Sequence, residues 1–308
     1  MTLKDWWGLL KDTGTGWVED KATRLAASLA FYTILSAAPL LVIVLAIAGL
    51  AFGRDAVQGQ IVEQLRGLVG QQGGEAIQTM IASSSGPGTG FAMVVGVVML
   101  LVGASGVFAE LQDALNTIWE VKAKPGLGIL AMIRDRFLSL TMVFGVGFLL
   151  LVTLVISTAL SALTRFAGLA EIGVVGQAVN FVISFAVLTL LFAMLFKFLP
   201  DVKLGWKDVW IGALATALLF TVGKLLIGMY LGHASVGSSY GAAGSLVVFV
   251  VWVYYSGMIL FFGAEFTKVY SSRFGSRVRP ADNAVPVTDE ARAQQGLPRT
   301  ASVQGVRR

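Results

Sequence analysis

Residues Trp206–Glu265 read WKDVWIGALATALLFTVGKLLIGMYLGHASVGSSYGAAGSLVVFVVWVYYSGMILFFGAE. This stretch decides the fold. It holds two apolar runs, Val209–Leu231 and Gly241–Ala264, joined by the turn GHASVGSSYG with the chain's single histidine, His233. Each run reaches the ~20 residues that a helix needs to cross a bilayer. Lys224 lies well inside the first run. A charge near the bilayer centre costs at least ~2.5–3.5 kcal/mol on insertion scales, so an ionisable residue there is a candidate functional residue. Two readings of Lys224 stand. About seven residues, or ~10 Å at 1.5 Å per residue, separate it from the outer helix end, within reach of snorkelling. Alternatively it faces the bundle interior and meets an anionic group of a solute or lipid. No carboxylate lies at the same depth in the other apolar runs to neutralise it.

The composition agrees with a membrane class. The chain has 308 residues, 56% hydrophobic and 13% charged, with a mean hydropathy of +0.78. Soluble domains are about 45–50% apolar and about 25% charged. The absence of cysteine excludes a disulfide framework, cysteine-ligated zinc and an iron–sulfur site.

Working outward, four more spans precede the decisive pair. Residues 25–53 carry no charge and form the first, with Pro39 inside it. The second covers 89–109, after the loop signal Ser83-Ser84-Ser85-Gly86-Pro87-Gly88. The third covers 137–163 and the fourth 172–196, followed by the pair at 209–231 and 241–264. Short amphipathic segments connect them, and Leu111, Leu115 and Ile118 share one helical face. In residues 1–24, Leu3, Trp6, Trp7, Leu10, Trp17 and Val18 recur at helical spacing, which predicts an amphipathic helix on the membrane surface. Residues 275–308, polar with Pro280, Pro286 and Pro298, read as a disordered cytoplasmic tail. The fold class is therefore all-α: a polytopic membrane protein of six transmembrane helices with amphipathic surface helices.

Lysine and arginine set the orientation. Of the 23, four lie in residues 1–24, four in 110–136, three in 197–208 and eight in 265–308. Only Arg54, Arg66 and Arg165 fall on the opposite side. Six spans then place both termini in the cytoplasm. Trp6, Trp7, Trp17, Trp119, Trp206 and Trp210 fall at the same interface, where indoles prefer to sit.

Four stretches together resemble one family, the YihY/BrkB-like membrane proteins, often labelled ribonuclease BN-like. They are RLAASLAFYTILSAAPLL at 24–41, GASGVFAELQDALNTIWEV at 103–121, FLPDVKLGWKDVWIGALATALLFTVGKLLIGMYL at 198–231 and YGAAGSLVVFVVWVYYSGMILFFGAEF at 240–266. The resemblance implies a six-helix protein of the bacterial inner membrane. It also brings family labels of virulence and of tRNA processing.

The residues themselves argue against a nuclease. Metal-dependent RNA cleavage needs clustered carboxylates or histidines. Here the acids stand singly along membrane flanks, so no catalytic residue, metal site or cofactor is expected, and no nucleic-acid partner. Gly103, Gly106, Gly212 and Gly223 lie in apolar helices, where small residues permit close backbone approach. Glu110 and Glu265 stand at helix C-termini, where the helix dipole disfavours an anion, so each wants a cation. Arg24, Arg134, Arg136 and Lys203 fall at the same level. Such pairs serve either as structural ion pairs or as a cytoplasmic gate. Tyr32, Tyr230, Tyr240 and Trp252 either pack between helices or line a cavity around Lys224. Asn116 and His233 read as cap or loop residues.

Three functions follow as expectations. One is a secondary transporter or translocator of an anionic lipid or solute, centred on Lys224. Another is a non-transporting protein that organises the envelope. The third, membrane ribonuclease, lacks any site in the sequence. The lipid bilayer is the expected partner, and the sequence leaves the oligomeric state open.

Overall fold

A computed structural model describes residues 2–52, 103, 106–124, 173–233, 244–276 and 278–298. The predicted third span at 137–163, most of the second at 89–109, and Arg134, Arg136 and Tyr240 lie outside the described residues. Helix α1 is Leu3–Glu19 and α2 is Ala22–Phe52. Helix α3 covers 106–118 and is followed by strand β1, Val121–Ala123. Next come α4 (Gly173–Phe198), β2 (Val202–Lys203), α5 (Trp206–His233) and α6 (Gly244–Phe274). Strands β3 (Arg279–Pro280) and β4 (Ala284–Pro286) and helix α7 (Asp289–Gln294) complete the chain.

Among the described residues three helices are long and apolar enough to cross a membrane: Phe181–Phe198, Trp206–Tyr230 and Leu246–Phe274. Helix α2, 31 residues long, covers the predicted first span. The described parts of the predicted spans at 172–196, 209–231 and 241–264 each fall on one helix. The last helix runs ten residues past its apolar run, to Phe274, and carries its charges with it.

Helices α4, α5 and α6 alternate in direction. Helix α5 packs on both neighbours, and α1 and α2 pack on α6. Lipid tails are as apolar as leucine, so packing inside a bilayer depends on fit rather than on escape from water. The α5–α6 contact meets this with two reciprocal pairs. A Cβ on Gly212 would stand 1.9 Å from Thr267 Oγ1, and one on Gly263 would stand 2.0 Å from Thr216 Oγ1. Each threonine hydroxyl donates within its own helix, Thr216 to Gly212 and Thr267 to Gly263, both at 2.7 Å. The two backbones approach with no polar atom left open. Toward the charged end Leu115, Ile118, Phe196, Val209, Ala213, Phe261 and Ala264 form one buried core. The face predicted for Leu111, Leu115 and Ile118 is the one that buries.

One expectation changes. Residues 278–298 are folded rather than disordered. Strand β4 pairs antiparallel with β1, Lys122 opposite Val285, and β3 pairs with β2, Val202 opposite Pro280. The segment thus straps together the ends of α3 and α4. Its order comes from partners distant in sequence and from buried Ala284, Leu297 and Arg292, none of which shows as local periodicity. Helix α1 forms where the amphipathic helix is predicted. Leu9 and Thr13 are buried. Leu3, Trp6, Trp7, Leu10 and Val18 are all exposed, so the apolar stripe points away from the bundle. The indole of Trp17 instead donates to the Met258 carbonyl at 3.2 Å.

Candidate functional site

The charged groups collect at one end of the bundle, where α1 meets α2, α3 and α4 end, α5 begins and α6 ends. Helix α1 stops because Lys21 takes a left-handed backbone (φ 51°). That leaves Asp20 at the joint, 1% exposed. Glu120, just after α3, is also left-handed (φ 57°). Such conformations cost non-glycine residues about 1–3 kcal/mol and persist only where surroundings enforce them. Both stand at the same cluster of charges.

Arg292 of α7 enters this cluster from the strap. Its Nη2 donates to Asp20 Oδ1 at 2.6 Å, its Nη1 lies 3.8 Å from Glu120 Oε1, and its Nε donates to the Pro298 carbonyl at 3.0 Å. Burial works against its charge. The hydrogen bond and the attraction of Asp20, with Glu120 behind, outweigh that and hold the guanidinium above its ordinary pKa. Lys268 of α6 reaches Glu120 Oε1 at 2.9 Å, Asp20 Oδ2 at 3.4 Å and Glu265 Oε2 at 3.7 Å. Glu265 is fully buried, and neither of its oxygens receives a hydrogen bond. Gly16 of α1 makes room for it: a Cβ there would lie 2.8 Å from Glu265 Oε2. Among the described residues three carboxylates therefore face two cations.

Two polar knots flank the cluster. Asp208 of α5 accepts from Ser271 Oγ at 2.9 Å, the Ser276 amide at 2.8 Å and Ser276 Oγ at 2.7 Å. Asp201, before β2, accepts from Asn116 Nδ2 at 2.9 Å and Asn283 Nδ2 at 2.7 Å, and its amide donates to Asn116 Oδ1 at 2.8 Å. Asn116 is thus a cross-link between α3 and the α4–α5 connection, not a cap. Among the described residues no group of three or more His, Cys, Asp or Glu could hold a metal ion.

The sequence-predicted residues divide between this end and the opposite half. Glu265 meets Lys268, three residues on in its own helix, rather than Arg24 or Lys203. Arg24 is exposed and Glu110 half-buried. Lys203 pairs with Asp282 of the strap at 2.6 Å. Asp20, Glu120, Lys268 and Arg292 were not singled out from the sequence. The Glu265–Lys268 spacing could have revealed Lys268. Nothing local marks Arg292.

In the opposite half, Ala213, Ala217, Phe220 and Lys224 lie on one stripe of α5 at i, i+4, i+7 and i+11. Ala213 and Ala217 are fully buried. Phe220 is half-buried, edge-on to Phe192 of α4 (centroids 5.7 Å apart) and to Trp252 of α6 (6.3 Å). One turn further, Lys224 is exposed. Lys224 thus stands exposed next to the aromatic group, while Gly223 and Ile227 on either side of it are buried. Trp252 belongs to that group. Tyr32 (39% exposed) lies on α2 beside Gly106, and Tyr230 (58% exposed) points elsewhere on α5. A separate apolar groove of about 400 Å³, lined by Trp17, Leu219, Gly223, Tyr255 and Ile259 among others, does not include Lys224.

The family model described as virulence factor BrkB matches residues 13–288. Curated relatives carry the name UPF0761 membrane protein. One from Verminephrobacter eiseniae is 31% identical over 259 residues, covering 80% of this chain and 58% of its own length. One from Alkalilimnicola ehrlichii is 28% identical over 269 residues, covering 85% and 58%. One from Pseudoalteromonas translucida is 27% identical over 255 residues, covering 82% and 83%. The chain thus spans little more than half the length of the first two. No solved structure matches the chain. With apolar helices of spanning length and a match across most of its residues, the chain belongs to the virulence factor BrkB family and is a membrane protein.

Proposed function

We propose that the protein is a secondary transporter or lipid translocator for an anionic group, with Lys224 as the contact. On this reading it carries six transmembrane helices in the bacterial inner membrane. Its charged end faces the cytoplasm, and it works as a carrier rather than an enzyme. One observation supports the reading above others. Lys224 continues the bundle-facing stripe of Ala213, Ala217 and Phe220, yet is exposed. A lysine on a lipid-facing stripe would need only to snorkel. A lysine on the inward stripe, above a floor of Phe192, Phe220 and Trp252, is placed to meet an anion entering between the helices.

The test is reconstitution into liposomes of the wild type and the Lys224→Ala and Lys224→Arg variants. One arm follows transbilayer movement of a labelled phosphatidylglycerol against labelled phosphatidylcholine. The other follows uptake of small organic anions. The expected result is movement in one arm that falls tenfold or more in Lys224→Ala, about 1.4 kcal/mol, and largely returns in Lys224→Arg. Equal rates in the wild type and Lys224→Ala would overturn the role of Lys224. No movement in either arm would favour the non-transporting, envelope-organising alternative.

A further inference from the structure

The buried cluster at the charged end has a charge imbalance that its residues alone do not resolve. Among the described residues, the charged groups around Glu265 come from four places. The α1–α2 joint contributes Asp20, the end of α3 contributes Glu120, the strap contributes Arg292, and α6 itself contributes Lys268. Helix α5 sends nothing charged, because Asp208 is bound by Ser271 and Ser276. On α1, Asp12 pairs with Arg273. Three carboxylates share two cations, and the one at the centre is fully enclosed.

Lys268 does not resolve this. It sits 2.9 Å from Glu120 but 3.7 Å from Glu265, beyond hydrogen-bond range. The remaining close neighbour of Glu265 is the Asp20 carboxyl. Two carboxylates are acceptors only, so as anions they leave both Glu265 oxygens without a donor. That is the arrangement found. A single proton changes the count: one carboxyl becomes a donor to the other, and the charges balance at two and two. Two adjacent carboxyls sharing one proton is how like charges coexist at contact distance.

We propose that Glu265 is a proton-binding site: its carboxyl carries a proton and donates it to Asp20, and this proton lets α1 close against α6 at Gly16. Deprotonation would leave an unpaired anion in a dry joint, a state relieved only by parting α1 from α6. The proposal shares no residue with the Lys224 reading and stands or falls apart from it.

The test uses the full chain in detergent or lipid at about pH 7. Infrared spectroscopy of wild type should show the C=O stretch of a protonated carboxyl, shifted when the glutamates are labelled with carbon-13 and absent in Glu265→Gln. Trypsin and chymotrypsin digestion, followed across rising pH, should reveal a cut within α1 or at the α1–α2 joint in wild type once the band is lost. In Glu265→Gln, which cannot ionise, that cut should stay at its neutral-pH level throughout. The proposal is overturned by a folded wild type without the band at neutral pH, or by a band that the glutamate label leaves unmoved. The labelling readout needs no substitution, so it stands even if Glu265→Gln fails to fold.

Discussion

The two halves of helix α5 are surrounded by different chemistry. Near Asp208 the helix is cross-linked: hydrogen bonds reach the end of α6 and the segment after it, and the buried cluster of Asp20, Glu120, Glu265, Lys268 and Arg292 lies alongside. Beyond Phe220 the helix is covered on one face, where Gly223 and Ile227 are buried, while Lys224, Leu225, Leu226, Met229 and Tyr230 are exposed. The cross-linked half draws on segments from every part of the described chain, including the strap. The polar bonds are where the stability is concentrated.

Substitutions at the cross-linked end should therefore dominate stability. The largest effect is expected for Asp20→Ala, which strips Arg292 and Lys268 of a buried partner. Breaking a buried pair from one side costs about 3–5 kcal/mol. Thermal unfolding in detergent should show a large fall in Tm, and trypsin should release the strap at a temperature where wild type is intact.

Gly263→Leu comes next. The new side chain collides with Thr216 and must force α5 from α6, at about 1–3 kcal/mol. Adding Thr216→Gly should recover part of the loss, which an unfolding titration of the double variant checks. A smaller loss, about 1–2 kcal/mol, is expected for Asn116→Ala, which removes one donor and one acceptor from Asp201. Chemical unfolding monitored by tryptophan fluorescence should resolve it.

At the low end, Lys203→Ala should leave Tm unmoved at any salt concentration, because both partners of the Lys203–Asp282 pair are exposed. Lys224→Ala should also leave Tm unmoved, since its side chain is exposed. A large fall in Tm for Lys224→Ala would erase the contrast between the two halves.

Much of the architecture is legible along the chain. Helices α4, α5 and α6 follow their apolar runs, because hydropathy is local and adds residue by residue. The buried face of α3 follows the spacing of Leu111, Leu115 and Ile118. The close approach at Gly212 follows from a glycine in an apolar helix. The surface helix was legible as a helix with an apolar stripe, but the residues that dock it on the bundle were not. Its buried face is built on Leu9, Thr13 and Gly16, small or isolated residues that a search for a hydrophobic stripe passes over. The candidate site was legible only in part. Glu265 announces itself as a carboxylate ending an apolar helix, and Lys224 as a cation inside one.

The sequence by itself determined the membrane class, the position of the helices that can be compared, and the family. These depend on runs of about twenty neighbouring residues and on shared words of sequence. Only the tertiary structure decided which carboxylate meets which cation. Asp20 and Arg292 are 272 residues apart and carry no mark of one another. It decided too that the polar C-terminal segment folds, since its strands exist only as pairs with distant strands. The burial of Ala213 and Ala217 was likewise settled by packing, because their cover comes from other helices.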